Sequence, residues 1–170
     1  MTPLLRKLVL TAHITVSVGW LGAVAGFLAL AVAGLISQDP AVIRAAYRAM
    51  ELLGWFVLVP LSLAPLLLTG PLLSLGTKWG LFRHYWILAK LLINILASLL
   101  LLVHMQLVSH LANVAETGFA TDALRPQRIQ LVAYAAAALL VLLVATALAV
   151  YKPRGLTRYG WRKQQEQRTP

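Results

Sequence analysis

Residues 8–36 read LVLTAHITVSVGWLGAVAGFLALAVAGLI, with no acidic or basic side chain except His13. An α-helix rises 1.5 Å per residue, so about 20 residues cross the ~30 Å hydrocarbon layer of a bilayer, and this stretch is longer than that. Soluble core helices rarely run so far without a charge, which makes lipid the expected solvent. Moving outward, the gaps from Glu51 to Lys78, Lys90 to Glu116 and Arg128 to Lys152 are equally free of acidic or basic residues other than histidine. The expected fold is therefore all-α: a polytopic four-transmembrane-helix bundle with spans at about residues 8–36, 51–75, 85–111 and 129–151, then a basic tail at 152–170. Composition agrees. Of 170 residues, 60% are hydrophobic and 12% charged, too little polar surface to wrap a soluble core.

The net charge of +10 would suggest nucleic acid as a partner for a soluble protein. In a membrane protein it reports orientation, and no nucleic acid is expected. Arg6 and Lys7, the loop from Lys78 to Arg83, and the tail with Lys152, Arg154, Arg158, Arg162, Lys163 and Arg168 carry ten of the 15 basic residues. The other two loops carry Arg44, Arg48, Arg125 and Arg128. The positive-inside rule then places both termini in the cytoplasm. Besides the surrounding bilayer, anionic lipid headgroups are the expected partners of the basic tail. The apolar run after Arg6 and Lys7 is about twice the 7–15 residues of a signal-peptide core, so it is expected to be a retained anchor.

Within this frame, Ser37, Gln38, Asp39 and Pro40 form a turn signal that ends the first helix and caps the next. Residues 41–50 place Arg44, Tyr47 and Arg48 at helical spacing and read as an amphipathic piece at the outer interface. Pro60, Pro65 and the Thr69, Gly70, Pro71 group predict a kinked second span. Trp55, Trp79, Tyr85, Trp86, Tyr134, Tyr151 and Trp161 fit interfacial anchoring. Gly22 and Gly26 form a small-residue pair suited to close helix approach, inside the bundle or between copies. With no cysteine, disulfides, thiolate metal sites and covalent c-type haem are excluded.

An ionisable group inside a span costs a few kcal/mol, roughly, and normally faces protein or water. The candidates are His13, Lys90 and His104. His13 and Lys90 each lie about five residues in from the cytoplasmic ends of the first and third spans, and Thr69 and Thr146 are expected near that level on the other two. Ser17 and Trp20 follow His13 at i+4 and i+7; Asn94 and Ser98 follow Lys90 at i+4 and i+8. The third helix is thus expected to present a polar stripe inward. His104 belongs about 20 Å away, in a separate outer cluster near Tyr134 and Glu51. His84 and His110 are expected at helix ends facing water or headgroups. Lys90 also has a stem long enough to snorkel to the interface, and His13 reads equally as a histidine bonded to a neighbouring helix. Nucleophile-elbow, zincin and P-loop motifs are lacking, as are paired carboxylates within the spans. Imidazole and one amine in an apolar bundle remain, a setting suited to haem or copper.

The order of His13, Trp20 and Gly22 on the first helix, Met50 and Glu51 before the second, Pro60 and Thr69-Gly70 within it, then Lys90-Leu91 and His104 on the third resembles the bacterial superfamily of HemJ-type protoporphyrinogen oxidases and CopD-like copper-resistance membrane proteins. The likeness covers roughly residues 5–110. It is similar to an uncharacterised branch of predicted integral membrane proteins in the segments TAHITVSVGWLGAVAGFLALAVAGL and LGTKWGLFRHYWILAKLL. The resemblance implies a bacterial inner-membrane location and a cofactor site for haem b or a porphyrin at His13 and Lys90, with His13 the metal ligand. Two departures count against a full carry-over. The HemJ pattern has an aromatic and basic segment where residues 23–35 here hold no polar side chain, and copper handling would favour more Met than Met1, Met50 and Met105. Whether the chain is an enzyme stays open; a non-enzymatic membrane scaffold or a small transporter, including a copper carrier, is the alternative.

Overall fold

In a computed structural model of the chain, the described residues are 2–64, 85–117, 124–151, 161, 162 and 165. Their elements are helix α1 (Pro3–Ile36), helix α2 (Pro40–Leu53), a π-helical segment (Gly54–Leu58), helix α3 (Val59–Ala64), helix α4 (Tyr85–Thr117) and helix α5 (Arg125–Tyr151). Among the described residues there is no strand. Pro3–Ile36, Ile87–Thr117 and Arg125–Tyr151 are long and apolar enough to cross a membrane, with mean hydropathy of 2.1, 2.2 and 2.6. The fourth helical run, residues 40–64, is shorter, and the remainder of the expected second span, with Pro65, Thr69 and Gly70, lies outside the described residues. Leu96, Leu99, Leu100 and Val103 on α4 and Leu140, Leu143 and Val144 on α5 point outward and exposed, the reverse of a water-soluble surface.

Helix ends follow local chemistry. Thr2 accepts from the Leu5 amide at 3.4 Å and Pro3 occupies the first turn, so α1 starts five residues before the apolar run. Asp39 caps α2 by accepting from the Ala41 amide at 2.8 Å, with Pro40 at the first position. Residues 41–50 do not form a separate interfacial piece. They are part of α2, which runs without a break into the π-helical segment and α3. Their apolar face, Ile43, Ala46, Tyr47 and Met50, is buried by protein. The i, i+3, i+4, i+7 spacing suits a neighbouring helix as well as a headgroup layer, and only packing decides between them.

The π-helical segment ends two residues before Pro60. Proline has no amide hydrogen, and its ring crowds the carbonyl four residues back, that of Phe56. A wider turn there, closed by the Val59 amide on the Gly54 carbonyl, accommodates the disturbance. Gly54 also admits Met105: a Cβ at that position would sit 2.3 Å from the methionine Sδ.

Helix α1 packs on α2 and α5, and α4 packs on α2, α3 and α5. This leaves α1 and α4 diagonal to one another. Trp20, Val24, Phe27 and Ala31 of α1 meet Tyr47, Met50, Leu58, Met105, Val108 and Leu131 in the buried core. A Cβ on Gly22 or Gly26 would meet nothing within 4 Å among the described residues, so this pair does not serve packing between described helices.

Candidate functional site

The inner layer is built from diagonal helices. His13 on α1 and Lys90 on α4 are both half-buried. One turn further in, Ser17 and Asn94 are half-buried. Beyond them Trp20 is 5% exposed and Ser98 is 3% exposed. Ser98 donates to the Ser62 carbonyl at 3.5 Å, a weak contact at the limit for such a bond, while the Ser62 hydroxyl donates to the Val59 carbonyl at 2.9 Å. The expected polar stripe Lys90, Asn94, Ser98 thus turns away from lipid, with its deepest member against α3.

Thr146 does not join this layer. It is exposed, and its hydroxyl donates to the Leu142 carbonyl of its own helix at 2.8 Å, the usual way a threonine satisfies itself inside a lipid-facing helix. Thr69, Trp79 and His84 lie outside the described residues. His110 is exposed.

His104 stands apart from His13, edge-on to Tyr134 with ring centroids 4.7 Å apart. Tyr134 lies six residues from Arg128, which binds the end of α1 at Gly34 and Leu35, whereas His13 lies 21 residues from Gly34. At 1.5 Å per residue the two histidines differ in level by roughly 20 Å. Two ligands of one metal stand about 4 Å apart, so these two cannot share one. The His104 Nε2 is buried with no hydrogen-bond partner among the described residues.

Above His104, the outer polar groups divide into two clusters, neither fully visible in the sequence. In the first, the Trp55 indole donates to the Ser109 hydroxyl at 3.4 Å. Arg48 then bridges Glu51 at 2.6 Å and Glu116 at 2.5 Å, tying α2 to α4. Trp55 is therefore anchored within a continuous helical run rather than at a helix end. In the second, Arg128 is 6% exposed and donates to the Tyr47 hydroxyl at 3.0 Å, to the Gly34 carbonyl, and to the Leu35 carbonyl at 3.3 Å. A guanidinium here supplies donors and positive charge to carbonyls that end α1 and carry partial negative charge. Burial pushes the Tyr47 phenol above its ordinary value, opposed by the hydrogen bond and charge of Arg128.

Chemically, the inner layer offers one imidazole and one amine among apolar side chains. No group of three or more His, Cys, Asp or Glu residues is placed to hold a metal ion among the described residues. A metal bound by His13 would need most of its ligands from outside the described side chains. No family description, curated protein or solved structure matches this chain.

Proposed function

We propose that the chain is a four-span protein of the bacterial plasma membrane, with both termini in the cytoplasm, that holds haem b or a related porphyrin at His13 and Lys90 in a redox role. What supports this reading is one imidazole and one amine, His13 and Lys90, each half-buried on a helix long and apolar enough to cross a membrane. Two basic groups in an apolar interior raise the cost of insertion unless a ligand or an anion answers them. In this reading His13 would hold the haem iron. Lys90 either holds an acidic side chain of the porphyrin or serves as the second ligand. Haem bound there would supply one-electron chemistry, while the surrounding apolar side chains exclude water. The basic tail contributes contact with anionic headgroups on the cytoplasmic face.

Purified from haem-replete cells, the protein is expected to show a Soret band that His13→Ala removes and Lys90→Gln weakens or shifts. A preparation colourless both as isolated and after hemin titration would overturn the reading and leave His13 and Lys90 as packing groups of a scaffold or small transporter. Stoichiometric copper that is lost on His104→Ala would favour copper handling instead.

A further inference from the structure

The helical run from Pro40 to Ala64 is held unequally on the two sides of its π-helical segment. Before it, α2 buries Ile43, Ala46, Tyr47 and Met50 and is tied to its neighbours by Arg48 on Glu116 and by Tyr47 with Arg128. After it, α3 buries one of its six residues, Ser62. The carbonyl of Ser62 meets the Ser98 hydroxyl of α4 at 3.5 Å, the limit for a hydrogen bond. One arm is fixed and the other is lightly held.

Between the arms, the Val59 amide donates to the Gly54 carbonyl, five residues back. In an α-helix it would donate to the Trp55 carbonyl, four residues back. Pro60 follows with no amide hydrogen, so the ladder is interrupted at position 60 in either pattern. For Val59 the change from one pattern to the other exchanges one bond for another. A π-turn holds one more residue than an α-turn, so closing it rotates everything that follows by the angle of one residue, about 100°. That rotation carries Leu61 to the place of Ser62. Leu61 now packs beside Gly19 of α1, its Cδ1 3.7 Å from where a Cβ on that glycine would stand.

We propose that Gly54–Leu58 is a two-state element whose π-to-α change turns α3 about its own axis and replaces Ser62 by Leu61 against Ser98. A purely apolar side chain then stands where a serine stood, so the contact between α3 and α4 changes polarity while α2 stays in place.

The cysteine-free chain allows a direct test in membranes. Ser98→Cys is combined in turn with Ser62→Cys, Leu61→Cys or Leu63→Cys, and disulfide formation under a mild oxidant is followed by mass spectrometry of the digested protein. The Ser62 pair is expected to close fastest. The Leu61 pair should close about 10–100-fold more slowly, as a minor state of roughly 1–10% occupancy requires. Leu63 lies 100° the other way, and its pair should stay reduced. Deleting Val57 removes the extra residue of the π-turn while α3 keeps its present facing, and should abolish the Leu61 disulfide. A Leu61 pair that stays reduced would overturn the proposal, and so would Leu61 and Leu63 pairs that close at equal rates, the mark of loose motion rather than a one-residue turn. An undiminished Leu61 disulfide in the shortened chain, or a Ser62 pair that never closes, would overturn it as well. If the shortened chain does not insert, the ratio of the Leu61 and Leu63 rates decides.

Discussion

Arg128 is the residue on which the outer end of the molecule turns. As a loop charge it counts toward orientation, yet it is 6% exposed and joins three chain segments: Tyr47 of α2, the last carbonyls of α1, and its own helix α5. Arg128→Met keeps much of the volume and removes every donor, leaving the Tyr47 hydroxyl and the α1 carbonyls unmatched. A loss of about 3 kcal/mol is expected, read as a lower midpoint in unfolding from mixed micelles. Arg128→Lys keeps the charge but not the planar fork and should lose less. If both variants unfold like wild type, the capping account fails. Tyr47 adds a pH dependence. Its phenol is held above its ordinary value by burial, so the folded state favours the protonated form. The stability this gives is fully present below about pH 10 and is lost as pH rises through the raised value, so an alkaline titration of wild type should show a fall that Tyr47→Phe lacks.

Among the elements, the helical run from Pro40 to Ala64 departs most from a regular span. A proline at 60 predicted a disturbance, and the structure takes it up as a π-helical segment one turn earlier, at Gly54–Leu58. Gly54 opens that segment because Met105, with 0% exposure, lies against its backbone. Gly54→Ala would place a Cβ 2.3 Å from Sδ and 2.4 Å from Cε of Met105, so the end of this buried side chain must shift against its neighbours. A loss of about 1–3 kcal/mol is expected from this overpacking. Met105→Val removes both clashing atoms, so the double variant should lose less than the two single variants summed. Strict additivity in that cycle would mean the two positions do not meet.

For the whole molecule, the absence of cysteine makes topology easy to test. With both termini cytoplasmic, Thr2→Cys and Gln165→Cys should react with a membrane-impermeant maleimide only in inside-out vesicles, and Ser37→Cys only in right-side-out vesicles. The reverse pattern, or termini on opposite sides, would refute the proposed orientation. The separation of the histidines yields a second expectation at this scale. Because His104 lies roughly 20 Å in level from His13, His104→Ala should leave the position and intensity of any Soret band unchanged. A lost or shifted band would mean that the two histidines reach one metal.

The membrane character, the helical class and the approximate bounds of α1, α4 and α5 were determined by sequence alone, because a long run without charges has few places to go except lipid. Which polar groups actually meet was decided only by tertiary structure. Thr146 faces outward and bonds to its own helix, residues 41–50 continue into the next span, and Arg48 finds Glu116 across 68 positions of sequence. Helical periodicity fixes the angle of a side chain about its own axis, but its neighbour depends on how each helix is rotated against the others. That rotation is set by close contacts such as Met105 on Gly54 and Arg128 on the end of α1, which join residues far apart in the chain.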